Sequence, residues 1–280
     1  MSASQIKIVS SSVRAADTRK PVIEAVGVGK TYGKDGAGFE ALRDITFQIR
    51  EGEFACLVGP SGCGKSTLLQ LLSGLMLPTK GEILVGGDRL TGPSPDKISV
   101  IFQDATLLPW KTALQNVEYP LEIKRLPKQE RRERAERYLQ MVGLADFMNR
   151  LPHELSGGMR QRVSIARGLA QEPKLLLMDE PYGALDEQTR TKMGDELLRI
   201  WEKTGLTILL ITHSLTEALY LSDVVYAMAA RPGRIIERVD IRLPRPRNID
   251  VIGSPEFGAL RNRLWHLLTD SGSSDADARS

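Results

Sequence analysis

Gly59-Pro60-Ser61-Gly62-Cys63-Gly64-Lys65-Ser66-Thr67 sets glycines, a lysine and a hydroxyl at the spacing G-x-x-x-x-G-K-[ST]. Glycines let the backbone fold so tightly that successive N–H groups converge on one concavity, which attracts anions. A helix starting at Lys65 would aim its positive end at the same point. Lys65 adds a full charge for terminal phosphates, and the Ser66 hydroxyl is placed to ligate Mg²⁺. A second run, Leu175-Leu-Leu-Met178, is apolar, of strand length, and followed by Asp179 and Glu180. Two adjacent carboxylates there are costly without a cation. Asp179 is therefore expected to hold Mg²⁺ through water and Glu180 to polarise the attacking water. A helix-capping pair is the plainer alternative.

Three further residues gain meaning from the same chemistry. Gln103 follows the strand-like Lys97–Phe102, where a glutamine can ligand Mg²⁺ or orient water. His213 follows Thr207–Thr212, where it can hydrogen-bond a γ-phosphate; His153 and His266 read as structural. Tyr32, expected in a polar loop, offers a ring that could stack on adenine, with a plain surface tyrosine as the alternative. Ser156 can cap a helix, and Gly157 and Gly158 leave bare N–H groups at its mouth, a second anion site. Two such sites in one chain suggest a nucleotide held between two chains.

The elements that must position these residues follow from periodicity. Phe54–Val58 reads as a buried strand before the glycine loop, and Leu68, Leu71, Leu72 and Leu75 repeat as a helical stripe after it. Val22–Val28 and the alternating Ile45, Phe47 and Ile49 predict an antiparallel hairpin feeding a parallel core. Thr207–Ile211 and Tyr220–Ala230 read as core strands, the second interrupted at Ser222 and Asp223, and Val224–Met228 with Ile235–Val239 as a hairpin. Between the strands, Thr112–Leu121 and the charged Lys124–Arg137 predict a helical insertion, with Glu130/Arg134 and Glu133/Arg137 as i,i+4 pairs. Interleaved signs make that charge a solvated face, not a nucleic-acid arm. Phe257, Leu260, Leu264, Leu267 and Leu268 predict an amphipathic helix before a polar tail.

Composition bounds the partners. A net charge of +3 over 280 residues is too small to argue for nucleic acid. Cys56 and Cys63 lack ligand-like spacing, which fits a reducing compartment. No apolar stretch approaches the ~18 residues of a membrane span, and no signal-peptide core is visible, so membrane spans are expected from another polypeptide.

With these residues laid out, the chain resembles an ATP-binding cassette (ABC) ATPase from about Val22 to about Val239. Gly59–Thr67 matches Walker A, Leu175–Glu180 Walker B, and Leu155–Arg162 the signature motif with Ser156, Gly157 and Gly158 intact. Gln103 matches the Q-loop, Asp186 the D-loop, His213 the switch histidine and Tyr32 the adenine-stacking aromatic. Leu107-Leu-Pro-Trp110, Pro181–Asp186, Arg231-Pro-Gly-Arg-Ile235 and Leu243-Pro-Arg-Pro-Arg247 resemble the nitrate/sulfonate/taurine branch of bacterial importers, with Tyr182 where phenylalanine is more usual.

The resemblance implies an α/β fold: a RecA-like P-loop NTPase core with an antiparallel β subdomain and a helical insertion. It implies an ATPase domain over 21–240 with a helical subdomain near 104–162; the Ser/Ala-rich, non-periodic residues 1–20 read as a flexible leader, and 241–280 as an extension with an amphipathic helix and a polar tail. ATP and Mg²⁺ are the implied cofactors. The implied partners are a second copy of the chain, permease subunits seated near Gln103 and residues 104–122, and a periplasmic or extracellular solute-binding protein, with no nucleic acid. The implied place is the cytoplasmic face of a bacterial inner membrane. A soluble ABC ATPase acting on DNA or ribosomes is the alternative, but it usually needs a coiled-coil insertion or paired cassettes, and one glycine loop occurs here. No Asn-Lys-x-Asp motif suggests a GTPase.

Overall fold

The computed structural model describes residues 18–33, 38–183 and 185–273, with side chains as far as residue 270. Most of the expected leader, Ala184 and the polar tail after residue 273 lie outside the described residues. In chain order the strands are β1 (Pro21–Tyr32), β2 (Phe39–Arg50), β3 (Phe54–Val58), β4 (Lys80–Val85), β5 (Asp88–Arg89), β6 (Ile98–Ile101), β7 (Leu175–Asp179), β8 (Thr207–Thr212), β9 (Val224–Ala229) and β10 (Arg234–Asp240). The helices are α1 (Lys65–Leu72), α2 (Ala113–Ile123), α3 (Lys128–Met141), α4 (Gly157–Leu169), α5 (Glu187–Thr204), α6 (Leu215–Leu221) and α7 (Pro255–Ser273).

Two sheets organise these elements. The larger has the order β10-β9-β3-β8-β7-β6, parallel except for the β9–β10 hairpin; the smaller is antiparallel, β2-β1-β4-β5. Strands β3 and β8 are buried along their whole length, as expected when both faces of a parallel sheet are covered. Their side chains alternate between two cores. Phe54, Cys56 and Val58 join Ile208 and Leu210 beneath the helices α2 to α7, whereas Ala55, Leu57, Leu209 and Ile211 face α1 and the antiparallel sheet.

The chain leaves the large sheet after β6 and returns at β7, and α2, α3 and α4 fill that interval. Ala135, Tyr138, Leu139 and Val142 form the buried stripe of α3 and its capping turn, and Gly143 ends it with a positive φ of 71°. Helix α4 runs past residue 162 to Leu169, and its inner side packs under the sheet.

Several local expectations are corrected. Helix α1 stops at Leu72 and the chain turns at Gly74, so Leu75 is exposed and Leu69 takes the inner place. The N–H of Ser73 closes the last turn onto Leu69 and Leu71. Tyr32 ends β1, opposite Phe39 of β2, instead of lying in a loop. Glu130 pairs with Arg134 at 2.8 Å, but Arg137 turns to Glu172 at 2.6 Å and Glu133 takes Gln129. Glu172 lies beyond α4, and its carboxylate gathers Arg134 and Arg137 together, which outcompetes a single exposed i,i+4 partner. Tyr220 and Leu221 belong to α6, because Ser222 caps that helix before β9 begins at Val224.

Candidate active site at the carboxyl edge of the parallel sheet

Parallel sheets bind ligands outside the carboxyl ends of their strands. Strand β3 runs into Gly59–Thr67, β7 ends at Asp179 with Glu180 next, β8 ends at Thr212 before His213, and β6 ends two residues before Gln103. Adjacent strand order β3-β8-β7-β6 therefore aligns the four along one edge.

The glycine loop is built for close approach. Gly64 caps α1 with φ 94° and no side-chain cap, so the first N–H groups of the helix stay directed at the loop. A Cβ at Gly64 would stand 2.6 Å from Leu42. Gly233, in the β9–β10 turn, approaches from behind: a Cβ there would stand 2.1 Å from the Cys63 carbonyl. The Arg231–Arg234 turn thus backs the loop, a contact that sequence reading missed. Lys65 is 8% exposed, and its ammonium donates to the Gly59 carbonyl at 2.9 Å and the Pro60 carbonyl at 3.1 Å. Burial pushes the Cys63 thiol up, so the cysteine inside the loop is a poor nucleophile.

Tyr32, Ser61, Gly62, Gly64, Lys65, Ser66, Thr67 and Glu180 line one cleft of ≈ 380 Å³, together with Phe39 and Ala41. The Tyr32 hydroxyl lies 3.4 Å from Thr67 Oγ1, which ties the ring to the loop. Phe39 is a second exposed ring on that wall; only its pairing with Tyr32 reveals it. A larger cleft of ≈ 570 Å³ lies at the amino-terminal edge of the sheet, near Lys20, Lys174 and Thr207, and holds none of these residues.

Asp179 and Glu180 remain a carboxylate pair. Burial raises the Asp179 carboxyl, the neighbouring Glu180 raises it further, and only Lys65 opposes them. Such a pair calls for a cation, and the side-chain oxygens of Ser66, Asp179 and Gln103 are hard donors of the kind Mg²⁺ takes. Glu180 has φ 42°, uncommon outside glycine, held by its N–H to the Ile211 carbonyl at 2.8 Å and by the Gly183 N–H on its own carbonyl at 3.0 Å. Its Oε2 lies 3.0 Å from His213 Nδ1. An ionised carboxylate only accepts, so the shared proton sits on Nδ1.

Gln103 is exposed and close enough to Gly183 that a Cβ there would stand 3.0 Å from its Nε2. Helix α4 pins the segment around it: Gln161 donates to the Phe102 carbonyl at 3.3 Å, and Arg167 to the Ala105 and Thr106 carbonyls at 2.9 and 3.0 Å. Ser156 caps α4 by accepting from the Met159 N–H, and Asp186 caps α5 by accepting from the Thr189 N–H. Of the expected site residues, Gln103, Ser156, Gly157, Gly158, Asp179, Asp186 and His213 do not line the cleft, although Asp179 and His213 adjoin Glu180 by sequence and by hydrogen bond.

A family model described as ABC transporter matches residues 42–183. The chain belongs to the ABC transporter family. Membership makes it a nucleotide-binding, ATP-hydrolysing transport subunit. An ATP-binding protein of Brucella abortus is 49% identical over 89% of this chain and 94% of that one. The nitrate import ATP-binding protein NrtD of Synechocystis sp. is 44% identical over 88% of this chain and 94% of that one. A dimeric ATP-binding cassette solved in a post-hydrolysis state with ADP and Pi superposes with TM-score 0.70 at 35% identity, covering 79% of this ABC subunit and 100% of itself. Among the described residues no helix is long and apolar enough to cross a membrane.

One group behind this ABC site escaped sequence reading. Glu217, on α6, accepts from Thr212 Oγ1 at 2.6 Å and lies 3.5 Å from Arg190 Nε, and Arg190 also donates to the Leu185 carbonyl at 3.0 Å. A polar bridge thereby joins the strand end before His213 to the loop before Asp186. Burial raises the Glu217 carboxyl, and its bond with Thr212 and the nearby Arg190 and His213 pull it back. Glu217→Ala is expected to lower kcat by roughly ten- to a hundredfold through misplacement of His213, with KM for ATP little changed. Glu217→Gln, which keeps an acceptor for Thr212, should retain more activity; equal kcat in the alanine variant and the parent would refute the bridge.

Proposed function

We propose that this chain powers an importer of a small anionic solute of the nitrate, sulfonate or taurine type. It works as a head-to-tail pair of copies with two ATP molecules between them. The observation that carries this reading is the split site. One copy gathers the glycine loop, Asp179, Glu180 and His213 at a single edge, while Ser156–Gly158 opens a helix elsewhere on the surface. A second copy turned head to tail would bring its Ser156–Gly158 amides to the phosphate held by the first.

Within each half, Tyr32 takes the adenine and the loop amides and Lys65 take the β- and γ-phosphates. Mg²⁺, held by Ser66, Asp179 and Gln103, neutralises phosphate charge when bound. Glu180 orients and deprotonates the attacking water. His213 donates Nδ1–H to Glu180 and so fixes that carboxylate, and with the ring doubly protonated while the triphosphate is bound it donates Nε2–H to the γ-phosphate. Closure depends on the γ-phosphate bridging two chains, so its loss lets the pair open.

The permease side is supported by a surface on the helical insertion. Buried Asn116 accepts from the Leu108 N–H and donates to the Leu108, Lys111 and Thr112 carbonyls, which holds the Leu107–Trp110 turn rigid. Trp110, 72% exposed, lies in the region of 104–122 expected to receive a permease helix, and Ile123, 65% exposed, directly follows that region. The subunit would then be peripheral on the cytoplasmic face of a bacterial inner membrane, with a solute-binding protein on the other side. The relative named for nitrate import supports an anion as cargo.

The test is uptake into proteoliposomes holding this subunit, its permease and the solute-binding protein encoded with them. ATP-dependent uptake of nitrate, taurine or an alkanesulfonate is the expected result. Association with nucleic acid or ribosomes in place of a permease would favour a soluble ABC ATPase.

A further inference from the structure

The residues after β10 have no role in the mechanism above, yet they reach its edge. Ile241 and Leu243 are buried, and Arg247, 8% exposed, donates to the Leu219 and Tyr220 carbonyls at 3.0 Å and to Ser222 at 2.7 Å. Arg245 adds a bond to the Leu221 carbonyl at 2.8 Å and an ion pair with Asp223. These contacts hold the carboxyl end of α6, the helix whose other end begins two residues after His213. Helix α7 then packs on α6 and β9 through Phe257 and Leu264.

The flank of α7 beside this packed stripe is unusual. Arg261, Asn262 and Trp265 meet His213 and Leu215 around a cleft of ≈ 350 Å³. Trp265 is 61% exposed. An arginine and an indole on one helical face, beside a residue that bonds the catalytic carboxylate, form the kind of anchor pair that dominates protein interfaces.

We propose that this face of α7 docks a second copy of the chain, receiving the acidic start of α5, Asp186 and Glu187, as two copies close on nucleotide. The proposal rests on the head-to-tail reading. Charge and continuity both support it. A Cβ at Gly157 would stand 3.9 Å from Leu185, and one at Gly158 3.3 Å from Thr189, so the signature glycines and the start of α5 share one edge. Any partner that brings Ser156–Gly158 to the phosphate brings Asp186 and Glu187 with it, both exposed. Arg261 offers the opposite charge beside His213, the residue assigned above to the γ-phosphate on the receiving side. Opposed charges at such a rim set register and partner choice.

The experiment uses the full chain carrying Glu180→Gln, with MgATP, in sedimentation velocity. Arg261→Glu should weaken the ATP-dependent dimer at least ~tenfold, and Glu187→Arg in the same chain should restore it. Nucleotide binding by the monomer should not change, which separates docking from misfolding. With Trp110 and Trp201 both replaced by Phe, which leaves Trp265 as the single tryptophan, acrylamide quenching should fall as the dimer forms. A dimer indifferent to Arg261→Glu, with Trp265 as quenchable as in the monomer, would overturn the role of α7 and leave the head-to-tail pair standing. A chain that stays monomeric at saturating MgATP would remove both.

Discussion

Glu180→Gln is expected to bind MgATP with near-parental affinity and to hydrolyse it at least ~10²-fold more slowly, leaving a stable dimer. The amide keeps the size and shape of the carboxylate, so the strained backbone at φ 42° and its bonds to Ile211 and Gly183 survive. It loses the ability to take a proton from water. His213 Nδ1 still finds an oxygen within the 3.0 Å it now spans, so the loop geometry is retained while the chemistry is removed. Single-turnover hydrolysis and sedimentation with and without MgATP check both halves. Robust turnover would assign the base to another group, and a slow but monomeric variant would break the link between the γ-phosphate and closure.

Lys65→Ala is expected to act one step earlier, raising the Kd for ATP about ten- to a hundredfold, in line with loss of a hydrogen bond to a charged group. The ammonium is almost fully buried and satisfies the Gly59 and Pro60 carbonyls, so its removal also loosens the loop that displays the amides. Titration with a fluorescent ATP analogue measures the change. Unchanged affinity would take Lys65 out of the phosphate site. Because Glu180→Gln leaves binding intact and Lys65→Ala does not, the pair separates holding the triphosphate from cleaving it.

Much of the site was legible because its chemistry is local. Glycines, a lysine and a hydroxyl at fixed spacing between a buried strand and a helix define an anion loop without tertiary information. Carboxylates and a histidine that directly follow apolar runs stand at strand ends, since a fully buried parallel strand must carry its polar groups at its tips, whereas β6 stops at Ile101, two residues short of Gln103. What escaped was set by approach in space. The Arg231–Arg234 turn was readable as a hairpin, but nothing in its letters says that Gly233 lies against the Cys63 carbonyl. Glu217 looked like any helical glutamate until Thr212 and Arg190 were seen around it. Leu75 fitted a helical repeat that the turn at Gly74 cuts short.

The anchoring of α6 by Arg247 also bears on how the subunit can be divided. A helix end leaves carbonyls pointing outward with partial negative charge, and here a guanidinium from distant sequence answers three of the carbonyls there. Trimming the polypeptide after Asp240, to imitate shorter cassettes, would strip that counter-charge and uncover the apolar seam under Phe257 and Leu264. The damage would land on α6, which begins two residues after His213. Residues 241–270 thus carry part of the packing and hydrogen bonding that brace α6.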